Sequence, residues 1–286
     1  MKKIIIAFTC LTIVSCQNNQ KTILIKKFDL PQKLKEVSGM TYMSDNQSIW
    51  CLEDSGNKNE LYQIDSIGIL KKTITIDHTE NIDWEDITKD SQGNFYIGDF
   101  GNNDNDRKNL CIYKINVDDL NKVSANPAYK ITFQYPEQID FPPKKKNLVF
   151  DVEGFFKLNN NFYLITKNRS KNFDGSAMVY KIPNSAGNHQ ATLVARIHTG
   201  TNFNDSAITS ASISLNQKKI VLLTHSKLIL FTDFDTDAFW NGTKTEIDLQ
   251  HYSQKEAVCF KNDHVVYISD EKNKKAGGDV FELEIK

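Results

Sequence analysis

Five polar residues recur in similar short sequence contexts, at intervals of about 46 to 68 residues that are typical of a structural repeat. They are two serines and three glutamates, namely Ser38, Glu85, Glu153, Ser210 and Glu256. Hydroxyl and carboxylate oxygens are the ligands that hard cations prefer. A ring of five suits the loose coordination of Ca²⁺ better than the octahedron of Mg²⁺. The pattern predicts a calcium site if the fold brings the five together; the alternative is that the acids are solvated at the surface.

Charged residues also stand at the ends of the apolar runs in the same repeats. They include Asp54 and Asp99 after two of the runs, and Lys167 and Arg169 after a third. Arg169 is one of only three arginines in the chain. Two cations can hold a phosphate, and a carboxylate can orient an attacking water. We expect these four residues to form a catalytic group; the alternative is that each aspartate only forms a turn.

The elements that must position these residues are short strands. Each repeat contains a strand at the aligned polar residue, a turn, and two or three further apolar runs, so that five copies predict five four-stranded sheets. This is an all-β, five-bladed β-propeller, in which the first strand of every blade lines the axis. The fifth copy lacks its fourth strand, and the unassigned run at residues 22–28 can supply it. The N-terminal strand is therefore predicted to close the last blade. A six-bladed propeller and a sandwich are the alternatives.

The N-terminus resembles a bacterial lipoprotein signal. Lys2 and Lys3 precede an apolar run that is too short to span a bilayer, and Cys16 stands at the cleavage position. The resemblance implies that residues 1–16 carry the signal and lipobox, that Cys16 is lipidated, and that residues 17–21 form a tether. Residues 22–286 then make a single propeller domain. We expect the protein to be anchored in the bacterial cell envelope, at the outer membrane facing the periplasm; an ordinary secretory signal is the alternative.

The composition is that of a globular protein, with 40% hydrophobic and 25% charged residues. Lys and Arg number 35 against 36 Asp and Glu, so the charge balance gives no reason to expect a nucleic acid partner. The sequence has no Gly-rich phosphate loop and no zinc-protease or serine-hydrolase motif. We expect a monomer that contacts the membrane only through its lipid, and whose partner is a small phosphate-containing substrate or an unidentified protein or glycan.

The series Ser, Glu, Glu, Ser, Glu, one residue per blade, resembles the calcium-activated nucleotidases, also called soluble apyrases. The resemblance implies a five-bladed propeller with Ca²⁺ on its axis and a phosphate contact from Arg169. The chain departs from those enzymes after Asp54, where it has Ser55 and Gly56 in place of an arginine, and it lacks their substrate-covering insertions.

The segment around Glu153 is also similar to the esterase-like phytase propellers. Both resemblances imply phosphate ester chemistry. The leading hypothesis is a lipid-anchored, calcium-dependent phosphohydrolase that acts on nucleotides or other phosphate esters. The alternative is a non-catalytic binding or scaffold propeller with a structural axial calcium, because propellers host unrelated functions.

Overall fold

The computed structural model describes residues 24–273 and 276–285 of the chain. The strands form five sheets. Blade 1 contains β2 (Val37–Met43), β3 (Ser48–Glu53), β4 (Glu60–Ile64) and β5 (Leu70–Ile76). Blade 2 contains β6 (Trp84–Lys89), β7 (Phe95–Asp99), β8 (Cys111–Ile115) and β10 (Tyr129–Gln134). Blade 3 contains β11 (Asp151–Leu158), β12 (Asn161–Lys167), β13 (Ser176–Pro183) and β15 (Thr192–His198). Blade 4 contains β16 (Ser210–Ile213), β17 (Ile220–Leu223), β18 (Lys227–Thr232) and β19 (Thr243–Asp248). Blade 5 contains β20 (Lys255–Asn262), β21 (Val265–Asp270), β22 (Asp279–Glu284) and β1 (Ile25–Asp29).

The five blades close into a ring around their first strands. Strand β2 contacts β6, β6 contacts β11, β11 contacts β16, β16 contacts β20, and β20 returns to β2. Strand β1 pairs antiparallel with β22, so the N-terminal strand supplies the outer strand of blade 5. The predicted five-bladed propeller is confirmed, including the closure of its last blade.

Two short strands were not predicted. Strand β9 (Ser124–Ala125) pairs parallel with β5, and β14 (Gly187–Gln190) pairs parallel with β10. Each lies in the connection between the third and fourth strands of one blade and reaches back to the outer strand of the blade before it. The added strand covers an edge that would otherwise expose unpaired backbone groups.

The remaining regular segments are brief. Short 3-10 helices span Val117–Asn121, Lys145–Asn147 and Phe239–Asn241, and one α-helical turn, α1, spans Phe203–Ser206. Among the described residues, no helix is long and apolar enough to cross a membrane. Residues 1–23, which include the predicted lipobox at Cys16 and the tether, lie outside the described part of the chain.

The hydrophobic core is divided into five clusters, each between two neighbouring blades. Large aromatic side chains are prominent in several of them, whereas the cluster between blades 4 and 5 is mainly aliphatic. The rings of Phe100 and Phe155, for example, meet edge to face across blades 2 and 3 at 5.1 Å. Full burial of one such side chain stabilises a fold by about 1.5–3 kcal/mol. Packing between blades therefore holds the inner strands, and the residues they carry, in fixed positions.

Near the axis, the backbones of inner strands from neighbouring blades are in direct contact. A Cβ atom placed on Gly39 would lie 2.7 Å from the Cα of Asp86, and one on Gly154 would lie 2.4 Å from the backbone nitrogen of Ala211. Only glycine allows backbones to come this close. These two glycines directly follow Ser38 and Glu153, so the channel narrows immediately beyond the aligned polar residues.

Removal of β1 should destabilise the propeller. A variant that begins at Leu30 loses the strand pairing with β22 and the buried side chain of Phe28. We expect a loss of about 3 kcal/mol or more in the free energy of unfolding, and aggregation through the exposed edge of β22. Thermal and urea unfolding of this variant and of the chain that begins at residue 17 measure the loss. Equal melting temperatures would show that β1 does not stabilise the ring.

Candidate metal centre

Backbone bulges turn four of the aligned polar residues toward the axis. The strand pairing shifts by one residue between Val37 and Gly39 in blade 1, and at the corresponding position in blades 2, 3 and 5. The residues left unpaired at these shifts are Ser38, Glu85, Glu153 and Glu256. A bulge takes a side chain out of the regular alternation of a strand and re-aims it. The four side chains can therefore all line one pocket.

The pocket has a volume of about 340 Å³ and lies at the N-terminal ends of the inner strands. Seven of the nine residues predicted for the metal and catalytic sites line it: Ser38, Asp54, Glu85, Glu153, Lys167, Arg169 and Glu256. The other lining residues are Asn103, Phe203, His225, Gln254 and Glu271. Five carboxylates thus face two cationic side chains, so the pocket has an excess of negative charge when all of them are ionised.

Ser210 does not line this pocket. Blade 4 has no bulge at Ser210, whose backbone pairs in regular register at the start of β16. The Ser210 hydroxyl donates to Oδ2 of Asp86 at 3.4 Å and accepts a hydrogen bond from the backbone N–H of Val258 at 3.2 Å. The carboxylate of Asp86 also accepts the backbone N–H groups of Ile87 and Phe155. Ser210 therefore belongs to a buried hydrogen-bond network that links neighbouring blades.

Asp99 is also outside the pocket lining. Its Oδ1 accepts a 2.7 Å hydrogen bond from Nη2 of Arg107 and a 3.2 Å bond from the backbone N–H of Asp83. The Arg107 guanidinium donates in addition to the carbonyl oxygen of Gly101 at 2.6 Å. Asp99 and Arg107 together fix the turn that follows β7.

Two groups of three carboxylates meet at Glu85. One consists of Asp54, Asp83 and Glu85, and the other of Glu85, Asp151 and Glu153. In each group, one oxygen from every residue lies within 4.8 Å of the others. Spacing of this kind fits a cation bound by oxygen ligands. The buried acidic clusters could therefore hold a metal ion, with Glu85 as the shared ligand.

The second group already contains two counter-ions. Nζ of Lys167 lies 3.0 Å from Oε2 of Glu153, and Nη2 of Arg169 lies 2.7 Å from Oε1 of the same residue. Nε of Arg169 also donates to Oδ2 of Asp151. Burial alone would lower the pKa of Lys167, but the charges of Glu153 and Glu256 raise it above its ordinary value. Two ionised cations thus neutralise Asp151 and Glu153.

The first group has no such counter-ion. No Lys or Arg within the described ranges lies within 4 Å of the carboxylates of Asp54, Asp83 or Glu85. Asp83 is 8% exposed, and its Oδ1 is buried without a hydrogen-bond partner; Glu85 is 7% exposed. Burial, with the nearby charge of Asp54, raises the pKa of Asp83 to about 7. Burial, with the charge of Glu153, raises the pKa of Glu85 well above its usual range. Such carboxylates must take up protons or share a cation.

A glycine makes room for this group. A Cβ atom on Gly101 would lie 2.2 Å from Oε1 of Glu85 and 2.4 Å from Oδ2 of Asp83. Any larger residue would displace those oxygens. The hydrogen bond from Arg107 holds the carbonyl of Gly101, so Arg107 supports the cluster without lining the pocket.

Three side chains around the pocket have pKa values that differ from their ordinary ones. Burial raises the pKa of Glu256 to about 7 and that of Glu271 to about 8. Burial and the charges of Lys167 and Lys255 lower the pKa of His225 to about 4. His225 is therefore a neutral imidazole at pH 7, with its Nε2 3.9 Å from Oε1 of Glu256. The two glutamates exchange protons near neutral pH, as a general acid or base must.

Asp83 and Asp151 were not predicted, although the sequence contains a signal for both. Each stands two residues before an aligned glutamate, in Asp83-Trp84-Glu85 and Asp151-Val152-Glu153. Residues two apart on a strand share a face, so a repeated Asp-x-Glu can present two carboxylates to one site. Arg107, the partner of Asp99, has no comparable signal in its local sequence.

No protein-family model matches the chain, and no curated protein sequence matches it. Solved structures with a similar fold do. The PQQ-bound aldose sugar dehydrogenase of Streptomyces coelicolor is similar with a TM-score of 0.55 and 9% identity, over 93% of this chain and 99% of that chain. The gluconolactonase XC5397 of Xanthomonas campestris is similar with a TM-score of 0.53 and 10% identity, over 93% and 91%. These likenesses establish the propeller fold, while the resemblance to the nucleotidases stays a prediction.

Gly101→Ala should weaken cation binding, although residue 101 is not itself one of the ligands. The added methyl group must displace Oε1 of Glu85 or Oδ2 of Asp83. We expect the calcium affinity to fall about tenfold or more, because moving the ligand oxygens should cost at least as much as changing an outer-shell partner of a ligand. Calcium titration of the wild type and the variant measures it. An unchanged affinity in a folded variant would place the cation away from Asp83 and Glu85.

Stability should fall with rising pH when calcium is removed. The pKa values of Asp83 and Glu256 are raised to about 7, and that of Glu271 to about 8. Between pH 6.5 and 8 the folded state therefore holds protons that the unfolded state has already released, and stability decreases as the pH rises. His225 acts in the opposite sense only below its ordinary pKa of 6.5.

We expect a loss of about 1 kcal/mol or more over this range in a chelator, and a smaller loss in calcium, because cation binding displaces the protons. Urea unfolding at several pH values with and without calcium tests both statements. A stability that rises with pH in the chelator would contradict the pKa shifts of the cluster.

Proposed function

We propose that this protein is a calcium-dependent phosphohydrolase that acts on nucleotides or other phosphate esters, anchored to the cell envelope by a lipid on Cys16. The observation that carries the proposal is the arrangement around Glu85. An acidic group without a counter-ion, Asp54 with Asp83 and Glu85, adjoins a group that presents Arg169 to the same pocket. A cation site next to a guanidinium is an arrangement that supports phosphoryl transfer, because both groups can offset the charge of the phosphate.

The cation would be held by Asp54, Asp83 and Glu85. All three provide carboxylate oxygens, which suit Ca²⁺, and two of them are buried, which makes their charges costly without an ion. Bound Ca²⁺ would polarise a phosphoryl oxygen and offset the negative charge of the substrate. The ring of five aligned residues that the sequence pattern predicts, Ser38, Glu85, Glu153, Ser210 and Glu256, is less well suited to the ion. Glu153 is committed to Lys167 and Arg169, and Ser210 is bound to Asp86.

Arg169 would orient the phosphate. Its side chain is 27% exposed and lines the pocket, and Nη1 makes no hydrogen bond within the described part of the chain. Asp151 and Glu153 fix the other nitrogens, so the guanidinium needs little reordering when a ligand binds. Lys167, which is buried, lines the same pocket and is paired with Glu153, would supply further positive charge. Pre-positioned donors of this kind stabilise charge that develops in a transition state.

The proton transfers would fall to the carboxylates of the open pocket. Asp54 is half-buried at the rim, where it can orient a water for attack. Glu256 and Glu271, whose pKa values are raised to about 7 and 8, can hold or release the proton that moves to a leaving group. The two roles fall to neighbouring blades, blade 1 and blade 5, whose inner strands β2 and β20 are in contact.

A second candidate function is a binding or scaffold propeller without catalytic activity. The specific observation in its favour is that both predicted phosphate ligands are already paired: Lys167 with Glu153, and Arg169 with Glu153 and Asp151. In this case the ion-pair network would have a structural role alone, that of holding blade 3 together. The fold does not decide between the two functions, since a lactonase and a sugar dehydrogenase share it.

A phosphate-release screen separates the two candidates. The substrates are nucleoside diphosphates, nucleoside triphosphates and phytate, each with calcium and with a chelator. The proposal predicts release of phosphate from at least one substrate, in calcium only, and its loss in Asp83→Asn. Lys244→Met, a change in the outer strand β19 away from the pocket, is the control that should retain activity. Absence of release from all substrates in calcium favours the scaffold.

The membrane anchor is a separate part of the proposal. Lipid on Cys16 would place the protein in the membrane fraction as a monomer with the propeller exposed to the periplasm. Cys16→Ser should move it to the soluble fraction of the envelope. Equal membrane association of both forms would argue against lipidation.

A further inference from the structure

The central channel has a second mouth at the C-terminal ends of the inner strands. A cavity of about 360 Å³ opens there, which is within the range of ~300–1,000 Å³ found for small-molecule sites. Its walls come from the second halves of β2, β6, β11, β16 and β20, together with the turns that follow them. It shares none of its lining residues with the candidate metal centre.

Lys89 gives this cavity a positive charge. It is the last residue of β6 and is half-buried in the cavity wall. Its ammonium forms neither a hydrogen bond nor an ion pair within 4 Å with any residue that the structure describes, and burial lowers its pKa. A half-buried cation without a partner loses hydration that nothing replaces. An anionic ligand would restore this interaction.

The two acids of the cavity lining form no direct ion pair with Lys89, although the charge of Asp45 favours its ionised form. Asp90 accepts hydrogen bonds from the backbone N–H groups of Gln92 and Asn94 and from the hydroxyl of Tyr96, so it is committed to its own turn. Asp45 is exposed and accepts a hydrogen bond from Ser44. The charge of Lys89 therefore remains available to a ligand in the cavity.

The rest of the lining mixes apolar side chains with polar ones, among them several serine and threonine hydroxyls. Met40 and Phe260 form part of the buried wall, and Leu215, at the mouth, is 51% exposed. Thr88 and Thr41 also line the cavity, and their hydroxyls make no hydrogen bond to other side chains within the described ranges. An ammonium without a partner beside hydroxyl groups, with apolar side chains elsewhere in the lining, suits a ligand with an anionic head and an apolar chain.

We propose that this cavity binds a small amphipathic monocarboxylate, with its carboxylate at Lys89 and its chain against Met40, Phe260 and Leu215. A single carboxylate matches Lys89, whose ammonium has no partner among the described residues, whereas Lys157, the other lysine of the lining, already donates to the carbonyl oxygen of Asn159 at 2.5 Å. The apolar side chains of the lining favour a ligand with a chain over a small inorganic anion. This inference does not depend on the proposed hydrolase function, since the two sites have separate linings.

Calorimetric titration of octanoate at pH 7 into the chain that begins at residue 17 tests the proposal. The wild type should bind one octanoate saturably. Lys89→Met should weaken binding about tenfold or more, which is the loss expected when a hydrogen bond to a charged group is removed. Lys89→Arg should retain most of the affinity because it keeps the charge. Lys244→Met, which removes a lysine from the outer strand β19, is the matched control and should bind like the wild type.

Two further ligands separate the roles of charge and chain. Acetate has the carboxylate without the chain, and 1-octanol has the chain without the charge, and we expect both to bind about tenfold more weakly than octanoate. Circular dichroism confirms that the variants are folded. The proposal is wrong if octanoate gives no saturable binding, if Lys89→Met binds it as well as Lys244→Met does, or if octanol binds as tightly as octanoate.

Discussion

Glu85→Gln is expected to abolish the stabilisation of the protein by calcium. Glu85 belongs to both carboxylate groups, and its oxygen is the one ligand that they share. The wild type should gain about 2.7 kcal/mol when free calcium is one hundred times its dissociation constant, because the ion binds only the folded state. The amide cannot balance the charge of the ion, so the variant should gain little or nothing at the same concentration. Thermal unfolding with calcium and with a chelator measures both values.

The variant should also be informative without the ion. Glu85→Gln replaces a buried carboxyl group whose pKa is raised well above its usual range by a neutral group of the same shape. In the chelator it should therefore be as stable as the wild type or more stable. Glu271→Gln lines the same pocket but belongs to neither group, and it should keep most of the calcium response. A full calcium response in Glu85→Gln would show that the ion binds elsewhere.

Arg169→Ala should reduce turnover by a factor on the order of 10² or more, if the guanidinium holds a phosphoryl group whose charge increases in the transition state. Arg169→Lys should retain only part of the wild-type turnover, because an ammonium cannot donate to two carboxylates and a phosphate in one plane. The loss should appear in kcat more than in KM. Arg196→Ala, at an arginine of the outer strand β15, is the control that should leave turnover unchanged.

The same variant should also be less stable, which the sequence alone did not indicate. Two nitrogens of Arg169 bind Asp151 and Glu153, both of which are buried. Removal of one member of a buried ion pair costs about 3 kcal/mol. Activity must therefore be compared at a temperature where Arg169→Ala is folded. Full activity of the folded variant would exclude Arg169 from the reaction.

The fold could be predicted because the repeat is local. Each blade repeats the same succession of a polar residue, a turn and apolar runs. The fifth blade lacked a fourth strand, so the unassigned run before Leu30 could be placed there, and it does pair with β22. Strands β9 and β14 could not be found in this way. Each pairs with the blade before its own over two to four residues, and this pairing depends on where a connection runs in space.

The site was predicted less completely, for a geometric reason. Aligned positions share a place along the strand, but a shift of one residue in the pairing changes which way a side chain points. Four blades have the bulge and blade 4 does not, which separates Ser210 from the pocket. The pairing of Arg169 with Asp151 depends on the path of the turn after β12, which no local motif encodes.

The position of the ion tests this account most directly. Crystals of the protein grown with calcium would locate it by anomalous scattering. We expect one peak bound by oxygens of Asp54, Asp83 and Glu85, with Lys167 and Arg169 still paired to Glu153. A peak at the centre of the ring formed by Ser38, Glu85, Glu153 and Glu256, or no peak in this pocket at saturating calcium, would contradict the account.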